Sequence, residues 1–171
     1  MSKLSPFTFR LKVLEHGWAE GSLFDEDTNV IMRASYVFDG LGDLVRAVKG
    51  LYLSPDWERT CSWLEEPGEV RWIFLRAGDS VNVKIVAFPN WSPELANDRG
   101  DVVFETTASL RRVAAQVCGQ MKCVLNEFVE DGYRERWRHA FPTEALLELG
   151  RLIDGDEVQR SGNNTCLKHS R

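Results

Sequence analysis

The chain reads as an α+β domain in which an antiparallel β-meander is packed on one face by two to three α-helices. Between residues 58 and 88, Glu65-Glu66-Pro67-Gly68-Glu69 and Gly78-Asp79 break a run rich in Trp, Val, Ile and Phe into three strand-length pieces. Pro, Gly and Asp supply turn geometry between alternating β-formers, the mark of hairpins. Further on, Leu110, Val113, Ala114, Val117, Met121, Val124, Leu125 and Phe128 recur at spacings of three and four, which places them on one stripe of a long helix. Runs of strands followed by helices favour local antiparallel pairing over alternating βαβ units. One face of such a sheet receives the helices, and the other is left partly open.

Each element has a local justification. Phe7, Phe9, Leu11 and Val13 alternate with Thr8, Arg10 and Lys12, the period of a strand with one wet face. A second strand is expected over Trp18–Phe24 and, after the polar turn Asp25-Glu26-Asp27-Thr28-Asn29, a third over 30–37. Asp39 stands as an N-cap before Leu41, Leu44, Val45, Val48, Leu51 and Tyr52, whose spacing makes one apolar helical stripe. After Ser54-Pro55-Asp56 the meander strands are expected at 60–65, 70–76 and 81–88. Val70, Trp72 and Phe74 share one face of the middle strand, while Ile73 and Leu75 share the other. This predicts a central strand covered on both sides over part of its length. Residues 89–100 contain two prolines, two asparagines and a glycine and read as an irregular loop, followed by a strand at 102–107. The long helix is expected over 109–129, ending at Asp131-Gly132, and Pro142-Thr143-Glu144 opens a last short helix. Beyond Asp154 the apolar period is lost, so a single domain over 1–153 with a flexible tail over 154–171 is expected.

A chain of 171 residues with 43% hydrophobic content buries a core without disulfides or a structural metal. The net charge of −5 disfavours broad electrostatic binding to nucleic acid or anionic membrane and suits a basic protein partner. No apolar run approaches the roughly 20 residues a bilayer needs, and the N-terminal residues lack the apolar stretch of a signal peptide, so a soluble, cytoplasmic protein is expected. Cys61, Cys118, Cys123 and Cys166 show no paired spacing and read as structural or incidental thiols. The Asn90-Trp91-Ser92 and Asn163-Asn164-Thr165 triplets match the glycosylation pattern, without consequence in an unsecreted chain.

No residue set assembles a recognisable reaction centre. Three histidines, His16, His139 and His169, sit in no metal or nucleophile motif, and Ser35 lacks a glycine-flanked elbow. No metal and no cofactor are expected. Glu65, Glu66 and Glu69 surround the Pro67-Gly68 turn as either a solvated hairpin tip or an acidic patch facing a partner. The stretch 133–141 mixes Arg134, Arg136 and Arg138 with Tyr133, Trp137 and Phe141. It reads either as a stacking surface for single-stranded nucleic acid or as a connecting segment whose Trp137 and Phe141 pack inward under solvated arginines. Among six tryptophans, Trp63 and Trp72 belong to the meander core, while Trp57 and Trp91 border polar loops; Trp91 is the candidate exposed aromatic.

Ala34-Ser35-Tyr36 with Asp39, Leu41 and Asp43-Leu44, then Cys61-Ser62-Trp63, Glu66-Pro67-Gly68-Glu69 and Arg71-Trp72, resemble a family of bacterial proteins with no assigned function, over residues 9–141. The resemblance implies a bacterial, cytosolic, single-domain protein and carries over no catalytic residue. In size, acidity and element order the chain is also similar in a general way to immunity proteins that neutralise bacterial toxins.

The function these features favour is a non-enzymatic protein-binding module, of the immunity-inhibitor kind, that meets a basic partner through Glu65, Glu66, Glu69 and Trp91. The alternative is a small-molecule binder or enzyme with Tyr36, Asp39 and Arg71 converging on a pocket between sheet and helices. Self-association into a homodimer through an exposed sheet face or edge is a third form of partner binding.

Overall fold

The computed structural model describes residues 4–54 and 58–166, with side chains through 161. Pro55, Asp56, Trp57, His169 and the side chains of Asn163, Asn164, Thr165 and Cys166 lie outside the described residues. The strands divide into two antiparallel sheets. β1 (Thr8–Val13), β2 (Trp18–Phe24) and β3 (Asn29–Ser35) form the first in the order β1-β2-β3. Helix α1 (Gly40–Leu53) leads to the second, β4 (Glu58–Leu64), β5 (Glu69–Ala77), β6 (Ser80–Phe88) and β7 (Asp101–Ser109), again in sequence order. Helices α2 (Leu110–Trp137) and α3 (Thr143–Cys166) complete the α+β fold. Every strand pair is antiparallel, and the ladder slips only between Ile85 and Val86, where a bulge lets Val86 face Val102.

The inner faces of the two sheets meet in one aromatic cluster. Phe9 of β1 stands edge-on to Trp72 of β5 with ring centroids 5.5 Å apart, Trp63 lies 5.1 Å from Trp72, and Phe74 stacks on Trp72 at 5.9 Å. Each pair of this kind adds about 0.5–1.5 kcal/mol beyond the area it buries. Gly21 of β2 makes the closeness possible, because a Cβ there would sit 2.6 Å from the Trp63 ring. Leu41, Leu44, Val48 and Leu51 of α1 and Val113, Val117 and Met121 of α2 join the same core, as their helical spacing predicts.

Helix α2 also covers an edge. The side-chain carbonyls of Gln116 and Gln120, one turn apart, accept the Phe9 and Leu11 backbone N–H groups, each at 2.9 Å. The free edge of β1 is thereby closed to further strand pairing.

Two helix boundaries differ from expectation. At Val129, where the apolar stripe ends, α2 has φ 50° and ψ 179°; this is a kink, and the helix resumes to Trp137. Tyr133 and Trp137, four residues apart and fully buried, give the second piece a core-facing stripe of its own. Arg138 then terminates it in the left-handed conformation, φ 70°. Helix α3 continues past Asp154 as far as Cys166. With no apolar stripe to hold it there, the extension is supported by ion pairs such as Arg160–Asp156, 3.1 Å, and Arg111–Glu157, 2.9 Å.

The outer face of the second sheet carries no helix. The segment 89–100 lies across part of it and closes a satellite cluster of Ile73, Val86 and Phe88, so β5 is covered on both sides up to Phe74 and exposed from Leu75. This matches the partly two-sided burial predicted for that strand.

Candidate functional site

Three connections meet at one end of the second sheet: 36–39 between β3 and α1, 65–68 between β4 and β5, and 89–100 between β6 and β7. The last two are joined by the Trp91 N–H, which donates to the Pro67 carbonyl at 2.8 Å. Glu65 ties the hairpin to the first sheet by accepting the Arg33 N–H at 3.0 Å, so its carboxylate is partly engaged, whereas Glu66 at the tip is exposed.

Glu69 is turned inward. Its side chain shares the outer face of β5 with Arg71 and is 1% exposed beneath the 89–100 segment. The Arg71 Nε donates to Glu69 Oε1 at 2.7 Å, Ser62 Oγ donates to the same oxygen at 2.8 Å, and the Ser92 N–H reaches Oε2 at 3.2 Å. Burial pushes the Glu69 carboxyl up, but these donors and the Arg71 charge outweigh it and leave the group below its ordinary carboxylate value. Arg71 Nη1 donates to the Leu95 carbonyl at 2.6 Å and to Asn97 Oδ1 at 3.3 Å, Nη2 donates to the Ser92 carbonyl at 2.5 Å and to Glu69 Oε2 at 3.2 Å, and the guanidinium lies 4.2 Å from the Phe88 ring centre. Arg71 therefore pins the 89–100 segment to the sheet. As a partner-facing carboxylate Glu69 is corrected: it is an internal counter-ion, because its position in the alternation puts it under a covered part of the sheet.

Arg71, Glu69, Ser62, Trp91, Leu95 and Asn97 line a shallow cleft of about 470 Å3 beside this segment. At its rim Trp91, 51% exposed, faces Phe38 with ring centroids 5.4 Å apart and planes at 45°. Tyr36, Val37 and Phe38 are all exposed, so three consecutive apolar side chains stand in water, with Phe38 against Trp91. The strand expected over 30–37 ends at Ser35, and this run forms a turn instead. Phe38 and Leu95 were not singled out in the sequence; the signal for Phe38 was the unbroken apolar triplet Tyr36-Val37-Phe38 before a helix cap.

Tyr36, Asp39 and Arg71 do not converge. Tyr36 sits over Gly17, whose carbonyl accepts the Tyr36 backbone N–H at 2.8 Å; the ring leaves no room for a side chain at Gly17, whose φ of 80° also favours glycine. Asp39 caps α1 by accepting the Gly42 N–H at 3.2 Å, pairs with Arg46 at 2.9 Å and accepts Trp137 Nε1–H at 3.1 Å. Neither lines the cleft at Arg71, which lies on the outer face of the sheet; the sheet–helix interface where that pocket was expected is filled by the core.

The stretch 133–141 turns Tyr133, Trp137 and Phe141 inward, leaving its exposed arginines without a stacking surface. Cys61 and Cys118 are buried free thiols whose desolvation raises their pKa, and Cys123 is a free thiol at the surface. Among the described residues no group of three or more His, Cys, Asp or Glu is arranged to hold a metal ion, and no helix is long and apolar enough to cross a membrane.

No protein-family model and no curated protein matches the chain. Among solved structures it is similar to a chain of the CdiA-CT/CdiI toxin and immunity complex from Enterobacter cloacae, at 13% identity and a TM-score of 0.43, over 68% of this chain and 99% of that one.

Proposed function

We propose that this chain is a non-enzymatic protein-binding module, an immunity-type inhibitor that meets a basic partner through the end of the molecule where 36–38, 65–68 and 89–96 come together. The observation that carries this reading is the exposed Phe38–Trp91 pair, with exposed Leu95 lining the same cleft as Trp91 and exposed Tyr36 and Val37 preceding Phe38 in the chain. Exposed aromatics on a rigid base are the residues that anchor protein interfaces, since a partner desolvates them at little entropic cost. The base is rigid because Arg71 and Glu69 hold the 89–100 segment from below and the Trp91 N–H holds it to Pro67. Glu66 and Glu94 stand exposed on the same segments and give the aromatic patch an acidic rim, which speeds encounter with a cationic surface.

The polar groups beneath the patch are consumed by one another. Arg71 and Glu69 neutralise each other, and Asp39 is occupied by its cap and by Trp137. Such an arrangement leaves the exposed aromatics and the acidic rim as the groups the surface presents.

The test is affinity capture from the native host, followed by titration of the recovered partner against the parent chain, the Phe38→Ala/Trp91→Ala double variant and the Glu66→Lys/Glu94→Lys double variant. The aromatic pair is expected to lower affinity by about a hundredfold or more, as hot-spot residues do. The charge variant is expected to slow association and flatten its salt dependence. Equal binding by all three proteins overturns the reading.

A further inference from the structure

The outer strands of the two sheets are closed to different degrees. Helix α2 caps β1 through Gln116 and Gln120, Gly40 of α1 lies against the outward Ser62 carbonyl of β4, and β7 is broken by its bulge and takes the Ser5 N–H at the Thr107 carbonyl, 2.9 Å. β3 is more open. The Tyr36 N–H donates to the Gly17 carbonyl at 2.8 Å and the Asp25 N–H to the Thr28 carbonyl at 3.0 Å. Between these two bonds the antiparallel alternation gives the N–H and C=O groups of Val30, Met32 and Ala34 to β2 and turns those of Asn29, Ile31 and Arg33 outward. Among the described residues only the Arg33 N–H of this outward set has a partner, the Glu65 carboxylate at 3.0 Å. Ile31 is 65% exposed, and Asn29 and Arg33 are exposed with it. Unpaired N–H and C=O groups that recur at every second residue are the complement of an extended backbone.

The charges along this edge select between occupants. Asp27 stands exposed at one end, and Glu65 with the exposed Glu66 stands at the other. Arg33 is the one cation on β3, and its cross-strand neighbour is Glu20; Arg10 and Lys12 lie on β1, two strands and about 10 Å away. An antiparallel second copy centred on Ile31 would bring its own Asp27 to the Glu65–Glu66 end, acid against acid. A basic strand meets attraction at both ends.

We propose that the edge of β3 adds one extended strand of the partner, bearing lysine or arginine, as a fourth strand of the first sheet; this rests on the reading above of the chain as a module for a basic partner. The strand takes the N–H and C=O of Ile31 and the N–H of Arg33, which Glu65 gives up, and the released carboxylate meets a cation of the incoming strand. Ile31 supplies the apolar side-chain contact, and the chain leaving β3 leads directly into the exposed turn 36–38.

The full chain, isotope-labelled for amide NMR, is titrated at low salt with an amidated octapeptide of alternating lysine and valine and with its glutamate–valine counterpart. The lysine–valine strand is expected to shift the Ile31 and Arg33 amides saturably and to slow their exchange about tenfold or more, with the glutamate peptide about tenfold weaker or worse. Ile31→Pro deletes an N–H that β2 does not use, at an edge position that tolerates proline, and Ile31→Lys adds a charge to an exposed side chain. Each is expected to weaken the lysine–valine peptide about tenfold with the fold intact. Absence of saturable shifts at those two amides, equal binding of the two peptides, or parental binding by either Ile31 variant overturns the proposal. So does a concentration-dependent dimer whose Ile31 and Arg33 amides are protected without peptide, which assigns the edge to a second copy. The partner recovered by affinity capture separates the strand from the reading it rests on: parental binding by Ile31→Pro beside weakened binding by Phe38→Ala/Trp91→Ala overturns the strand alone, and parental binding by both proteins overturns both.

Discussion

Arg71 and Glu69 lie two residues apart on one face of β5, joined at 2.7 Å and almost completely buried, and the same guanidinium holds the Leu95 and Ser92 carbonyls of the crossing segment. A buried ion pair is thus the fastening between the sheet and the loop that carries Trp91.

Removing one half of that pair is expected to cost more than removing both. Arg71→Met leaves the Glu69 charge buried without its cation, at about 3–5 kcal/mol, whereas the Glu69→Leu/Arg71→Met double variant loses less because no uncompensated charge remains. Urea unfolding of the three proteins checks this, and limited proteolysis is expected to cut Arg71→Met first within 89–100. A double variant as unstable as Arg71→Met contradicts the role assigned to the pair.

The same carboxylate sets an acid limit. Its folded-state pKa is lowered from the ordinary 4.5, so its contribution is complete above that pH and is lost as pH falls below it toward the folded-state value. The parent is expected to lose stability below about pH 4.5 more steeply than Glu69→Gln, the two curves converging at low pH. Contributions from other carboxylates are common to both proteins and cancel in the difference.

Gln116→Leu and Gln120→Leu each strip a partner from an edge-strand amide. A loss of about 1–3 kcal/mol per site is expected, with faster hydrogen exchange confined to the Phe9 or the Leu11 amide respectively. Unchanged exchange at those two amides rules the capping out.

Gly21→Ala places a methyl group against the Trp63 ring, where a Cβ would lie at 2.6 Å. Overpacking of this kind is expected to cost about 1–3 kcal/mol, and a Trp63→Phe background is expected to recover part of it.

Much of the fold is legible because its signals are local. Phe9, Leu11 and Val13 alternate within one strand, Pro67-Gly68 and Gly78 mark the hairpins, and the α2 stripe repeats over its first five turns. What escaped depends on distant partners. Glu69 looks like a tip residue until 89–100 folds over it, and Phe38 meets Trp91 only after α1 and three strands intervene. The kink at Val129 hid the continuation of α2, since the buried residues beyond it, Tyr133 and Trp137, start a new stripe out of phase with the old one. Helix α3 past Asp154 has no apolar period at all, so nothing in its pattern distinguishes it from a tail.

Hydrogen–deuterium exchange of the chain, alone and with the partner recovered by affinity capture, tests the binding surface most directly. Slowed exchange at the amides of 36–38, 66–68 and 91–96, with α2 unaffected, is the predicted footprint. Protection concentrated on the helices, with those three segments exchanging at their free rates, contradicts it.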